Sequence, residues 1–331
     1  MKLFDKYGRI HNYLRLSVTD KCNLNCVYCN PDKNYLHNLN NKSIISFEKI
    51  ERIVRIFVEK FEFKKIRLTG GEPFARKDIE KLVQSLNDLK STSEYELSAT
   101  SNGILLKNRI ADFINRGIDR FNFSLDTLQK AKFISITGSG LFGSAINSIM
   151  EGISISPKKV KINMVVMKGI NDDELLDFVD FSIRHKVTVR FIEYMPFSNN
   201  GYDRNQFVSY KDMIKIISKK YKLINANNLE SVSKDYTVAD YDGKISFITS
   251  LSEHFCNTCN RLRVTSDGKL KLCLFSTIDE DLDIKDLIRS GATDKEIMDN
   301  ITGFIGNKKG MHDELEKLIQ LKSNSMISIG G

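Results

Sequence analysis

"YLRLSVTDKCNLNCVYC", residues 13–29, runs from a β-rich stretch straight into a loop carrying Cys22, Cys26 and Cys29. The spacing is C-x3-C-x2-C, so three thiols fall within eight residues. A structural zinc takes four ligands, a disulfide joins two cysteines, and a nucleophile needs one. Three thiolates instead suit a [4Fe–4S] cube, holding three irons and leaving the fourth without a protein ligand. Such an open iron is a place for chemistry, where a fully ligated cluster would be a fixture. Two plainer readings stand beside it: a zinc site completed by a distant histidine, and buried structural cysteines. His11 and His37 are near in sequence, but neither has zinc-like spacing.

The passage from strand to polar or glycine-containing loop recurs down the chain. KKIRLTG (64–70), YELSATSNG (95–103), DRFNFSLD (119–126), KVKINMVVMKG (159–169) and TVRFIEYMP (188–196) repeat it. Helical patterns fall between them, at 46–61 with Ser46 as candidate cap, near 78–90 and 108–116, up to about 155, at 172–185, and near 210–220. Alternating β and amphipathic α predicts an α/β fold with a parallel sheet, its functional loops at the strand ends. About six units are visible, which favours an incomplete (β/α)6 TIM-type barrel over residues 1–225, with a doubly wound open sheet as the alternative. Past 225 the rhythm gives way to short strands and a second cysteine cluster. Residues 226–331 are therefore set apart as a C-terminal extension.

The chain has 331 residues, 41% of them hydrophobic and 28% charged, enough for a large core without disulfide staples. The N-terminal segment carries no secretory pattern, and no apolar run is long enough to span a bilayer, so a cytoplasmic protein with reduced thiols and no membrane partner is expected. The net charge of +8 is compatible with solvated lysines or with an anionic ligand, and alone it decides nothing.

FCNTCNRLRVTSDGKLKLCLF (255–275) supplies Cys256, Cys259 and Cys273, again three and not four. A zinc ribbon would show a second CxxC pair; His254 completing a Cys3His zinc site and a second open [4Fe–4S] cluster are the two readings. Between the cysteines, Arg261 and Arg263 flank Leu262 on an extended segment and so point the same way. Two guanidinium forks suit a polyphosphate or carboxylate.

CNLNCVYC is similar to the cluster-binding motif of the radical S-adenosylmethionine enzymes, and TGGEP (69–73) resembles the loop that holds the methionine end of that cofactor. Within that superfamily the chain resembles the GTP 3′,8-cyclases over almost its full length. The resemblance rests on LRLSVTDKCNLNC, KIRLTGGEP, FNFSLDTL, KINMVVMKGINDDE, RFIEYMP, FCNTCNRLRVTSDGKLKLCLF and the terminal IGG. It implies two [4Fe–4S] clusters, on Cys22, Cys26, Cys29 and on Cys256, Cys259, Cys273. It implies S-adenosylmethionine contacts at Tyr28, Gly71, Ser124 and Met195, and GTP contacts at Arg15, Arg67, Thr100, Lys161, Arg190, Arg261, Leu262 and Arg263. Gly330 and Gly331 would form a tail that enters the active site. The implied reaction is radical removal of the C3′ hydrogen of GTP and closure onto C8, giving 3′,8-cyclo-7,8-dihydro-GTP, the first step towards molybdopterin.

A one-electron donor and a downstream cyclic pyranopterin monophosphate synthase would be the partners, nucleic acid would not, and self-association into a homodimer stays open. Asn25, Asn30 and Tyr202 depart from the residues common in relatives, at positions that are not cluster ligands. Two other classes compete: a radical enzyme acting on a peptide, and a cluster- or zinc-stabilised nucleic-acid-binding module. The latter would cluster basic residues with aromatics on one surface, whereas here the key basic residues sit on strands.

Overall fold

The computed structural model describes residues 1–29, 44–197, 200–226, 232–320 and 326–330. Asn30, His37 and Gly331 therefore lie outside the described residues. A short antiparallel pair, β1 (Leu3–Phe4) and β2 (Ile10–His11), precedes the main sheet. The six expected strands then appear within a few residues of their sequence bounds: β3 (Tyr13–Ser17), β4 (Lys65–Thr69), β5 (Glu96–Ser101), β6 (Arg120–Ser124), β7 (Val160–Val166) and β8 (Thr188–Glu193). They pair in parallel and in strict chain order, without the reversal of a doubly wound sheet.

Residues from about 223 onward do more than extend the chain. β9 (Leu223–Asn225), β10 (Lys234–Val238) and β11 (Lys244–Ile248) form an antiparallel set, and β11 adds a further parallel strand beside β8. At the opposite edge, β12 (Arg261–Val264) pairs in parallel with β3, followed by antiparallel β13 (Lys269–Lys271) and β14 (Leu282–Asp283). The twelve-stranded sheet thus has an eight-strand parallel centre flanked by C-terminal strands at both ends.

Leu14, Leu16, Ile66, Leu68, Phe121, Phe123, Phe247, Leu262 and Val264 belong to one buried core, so residues on both sides of position 225 share it. The helix expected at 46–61 spans Phe47–Arg55 and widens into a π-helical turn, Ile56–Lys60. Ser46 sits at its N-cap with extended backbone but without a capping hydrogen bond. Period-2 alternation does the rest: in VKINMVV of β7, Val160, Ile162, Met164 and Val166 go to the core, leaving Lys161, Asn163 and Val165 on the other face. Among the described residues no single helix is long and apolar enough to cross a membrane.

Candidate functional site

One cavity at the strand ends receives both cysteine triads: Cys22, Cys26 and Cys29 on one side, Cys256, Cys259 and Cys273 on the other. All six thiols are free and partly accessible. Among the described residues no three His, Cys, Asp or Glu side chains converge tightly enough to hold a single metal ion. Thiolates on a cube sit on separate irons, so a four-iron cluster tolerates that spread better than mononuclear zinc does. His254, the candidate fourth zinc ligand, does not line the cavity; its ring packs edge-on against His312. His312 also lines the cavity beside the second triad, but its two ring nitrogens lie against the carbonyls of Asp313 at 2.7 Å and Ser250 at 2.9 Å, so three thiols per triad fit a cluster with one open iron.

The first triad is placed by the loop after β3 and by TGGEP after β4. Gly71 donates its N–H to the Thr19 carbonyl at 2.9 Å, and Glu72 donates to the Lys21 carbonyl at 2.8 Å. A Cβ on Gly71 would lie 2.4 Å from the Lys21 oxygen and 3.0 Å from the Cys22 Cβ, so the glycine permits contact between the two loops. Gly71 also lines the cavity, so although its N–H is engaged by the cysteine loop the rest of its backbone faces the space expected to take the ligand.

Burial pushes the Cys22 thiol up to about 11 and Cys29 to about 12, and lifts Cys26 well above its ordinary value; Glu72 acts on Cys22, and Asp126 on the other two, in the same direction. Neither acid was singled out from sequence, though both lie inside quoted motifs. Glu72 accepts from Asn102 N at 2.8 Å, Ser101 Oγ at 2.9 Å and Phe74 N at 3.2 Å, yet burial still raises its carboxyl to about 7. Asp126 accepts from Tyr28 Oη and from Val165 N, each at 2.8 Å, and burial raises it to about 6. A buried acidic corner of this kind favours a cationic group.

The other side of the cavity is cationic. Sheet register sets Arg263 beside Arg15 and Arg15 beside Arg67, on three adjacent strands, with Arg261 beside Tyr13. Arg15, Arg67 and Arg263 are buried, and Arg190 joins them in the cavity wall. Burial, and then neighbouring arginines, pull Arg190 and Arg263 down to about 10. The Nε atoms of Arg190 and Arg261, and Thr100 Oγ1, are buried without a hydrogen-bond partner among the described residues.

Tyr13, which sequence reasoning missed, lies under this row with Lys65, Arg67 and Arg261 5.4–5.5 Å from its ring. Burial alone would raise its hydroxyl, but Arg67, Arg15 and Arg261 bring it down to about 7. So many cations facing one space are costly without an anion to meet them.

Other expected residues separate. Tyr28, Ser124 and Met195 line the cavity. Lys161 shares the face of β7 that carries the cavity-lining Asn163 and Val165 but is not itself in the lining; burial and Arg190 lower it to about 8. Leu262 points into the core, so only its backbone can serve the site. Gly330 reaches in: its carbonyl accepts from Arg263 Nη1 at 2.6 Å and Arg15 Nη2 at 3.5 Å. Its φ is +72°, and a Cβ there would collide with Thr69. Tyr202 packs on Tyr194 at 4.8 Å in the cluster that also contacts Tyr28, and Asn25 holds its loop through N–H to the Thr137 carbonyl at 3.0 Å.

The family model of the radical SAM superfamily matches residues 16–182, and Molybdenum Cofactor Synthesis C matches 187–314. The chain is 40% identical over 331 residues to GTP 3′,8-cyclase of Thermodesulfovibrio yellowstonii, covering 99% of each. It is also 40% identical to molybdenum cofactor biosynthesis protein 1 of Dictyostelium discoideum, covering 99% of this chain and 52% of that protein, so it spans about half the length of that relative. Among solved structures, Streptococcus suis SuiB bound to S-adenosylmethionine superposes with a TM-score of 0.61 at 17% identity, covering 89% of this chain and 69% of SuiB, a likeness of fold. A parallel sheet delivering two cysteine triads into one cavity, and identity across the whole of a curated cyclase, agree: the chain belongs to the GTP 3′,8-cyclase family of the radical S-adenosylmethionine superfamily.

Proposed function

We propose that this chain converts GTP to 3′,8-cyclo-7,8-dihydro-GTP, the opening step of molybdenum cofactor biosynthesis, in the cytoplasm. The observation that carries the reading is a single cavity with an acidic corner at one cysteine triad and an arginine row at the other. The six βα units form an incomplete (β/α)6 barrel; residues 1–225 serve the first [4Fe–4S] cluster and cofactor, and residues 226–331 bring the second cluster and much of the substrate site. When bound, the first cluster and S-adenosylmethionine together supply reductive cleavage to methionine and a radical able to take the C3′ hydrogen of GTP.

The protein's own residues arrange that encounter. Tyr28, Gly71, Ser124 and Met195 hold S-adenosylmethionine, and the acidic corner of Glu72 and Asp126 receives its positive charge. Arg15, Arg67, Arg190, Arg261 and Arg263, with Lys161 and Thr100, hold GTP; a triphosphate answers the cost of burying them. Leu262 contributes backbone only. Cys256, Cys259 and Cys273 would hold the second cluster, which would supply a Lewis-acidic iron at the substrate end of the cavity. The wall of Met195, Phe275 and Ile327 excludes water and rival hydrogen donors. Gly330 closes the arginine end, and Gly331 is assigned with it. A one-electron donor supplies the cluster, and cyclic pyranopterin monophosphate synthase consumes the product.

Anaerobic reconstitution with iron and sulfide, then incubation with S-adenosylmethionine, reductant and GTP, tests the reading. GTP-dependent 5′-deoxyadenosine and cyclised product are expected. Cleavage indifferent to GTP would overturn it.

A further inference from the structure

A second cavity opens behind the second triad, bordered by the same three cysteines and by Arg9 and Lys308. Lys308 is only 4% exposed. Its Nζ donates to the carbonyls of Arg261 and Leu272, both at 2.7 Å. One carbonyl lies two residues after Cys259 and the other immediately before Cys273. The Cys256 carbonyl is held in parallel by Arg9 Nη1 at 2.6 Å. Two cations therefore tie down all three cysteine-bearing segments.

They differ in how their charge is met. Arg9 has Asp5 at 2.6 Å, and the neighbouring buried Lys271 has Asp281 at 2.8 Å. Lys308 makes no ion pair with a carboxylate among the described residues. Burial lowers its ammonium, and the strongest opposing pull comes from the thiols of Cys259 and Cys273. A buried ammonium held by two carbonyls is hydrogen-bonded but not neutralised.

We infer that Lys308 is a positioning residue that supplies the standing counter-charge for a cluster on Cys256, Cys259 and Cys273, and so raises that cluster's reduction potential. The inference rests on the second cluster of the proposed function. Three thiolates leave an oxidised cube with net negative charge; one-electron reduction adds to it, and a fixed cation nearby favours the reduced form.

The test uses the full chain with Cys22→Ala, Cys26→Ala and Cys29→Ala, so that only the second triad can load iron. Lys308→Gln keeps two N–H donors and removes the charge; Lys308→Arg keeps the charge. Iron content and the one-electron midpoint potential are read anaerobically. Lys308→Gln should hold its iron and shift the reduction equilibrium at least tenfold towards the oxidised form, 59 mV for one electron, while Lys308→Arg stays at the parent value. Loss of iron in Lys308→Gln alone also supports a charge role. An unmoved potential in Lys308→Gln, an equal fall in Lys308→Arg, or equal iron loss in both would reduce Lys308 to a backbone clasp and overturn the inference. An iron-free second triad in the parent would instead remove the second cluster, and the inference with it.

Discussion

The two cysteine triads share one cavity and face opposite electrostatic problems. At the first, burial raises all three thiols and the nearby acids, Glu72 and Asp126, raise them further. At the second, burial raises Cys256, whereas at Cys259 Lys308 and Arg261 more than offset burial and leave the thiol below its ordinary value. The acidic end is short of positive charge, and the basic end is short of negative charge. A cofactor bearing a sulfonium and an ammonium suits the first; a nucleoside triphosphate suits the second. The same number of thiols is thus tuned for different company by what the sheet places around it.

Breaking either triad should have the largest effect. Cys26→Ala should abolish 5′-deoxyadenosine formation, whereas Cys259→Ala should spare S-adenosylmethionine binding while cyclised product disappears, both read by chromatography. Arg263→Ala should come next, since removing one member of a buried polar contact commonly costs roughly 2 kcal/mol or more, about thirty-fold in affinity. GTP binding should weaken by that factor in calorimetry and S-adenosylmethionine binding should not.

Gly71→Ala should act on the opposite end, because its Cβ would press on the Lys21 carbonyl and Cys22. Overpacking of about 1–3 kcal/mol should show as lower iron retention on the first triad only.

The smallest effects are in pH. The Glu72 carboxyl, raised by burial to about 7 from 4.5, stabilises the fold fully below 4.5, and that contribution is lost as pH rises to about 7. Tyr13 has the reverse sign: depressed to about 7 from 10, it stabilises fully above 10 and loses this as pH falls through 7. In melts of cluster-free protein, Glu72→Gln should flatten the lower window and Tyr13→Phe the upper one.

Much of this was legible in the sequence. The six strands carried their own alternation, and Arg261 and Arg263, two apart in RLR, both face the cavity as that spacing requires. The flanking strands were harder to see, because KISFI (244–248) joins its neighbour β8 only through a register that no local pattern encodes. The arginine row needed pairing information too: Arg15, Arg67 and Arg263 become neighbours only when β3, β4 and β12 are laid side by side. Leu262 illustrates the converse, since adjacency in sequence to two cavity arginines sent its side chain to the opposite face. Lys308 was invisible for a different reason. NKKGMHD (307–313) reads as exposed basic surface, and nothing in it reveals that one of two adjacent lysines is buried beneath a cysteine triad.

The central claim is that one cavity holds two clusters that receive different molecules. Electron paramagnetic resonance of the reduced, fully loaded protein tests it most directly, with each ligand added separately. S-adenosylmethionine should change the signal that disappears in Cys26→Ala, and GTP the signal that disappears in Cys259→Ala. A single cluster signal, or one signal that responds to both ligands while the other responds to neither, would contradict the account.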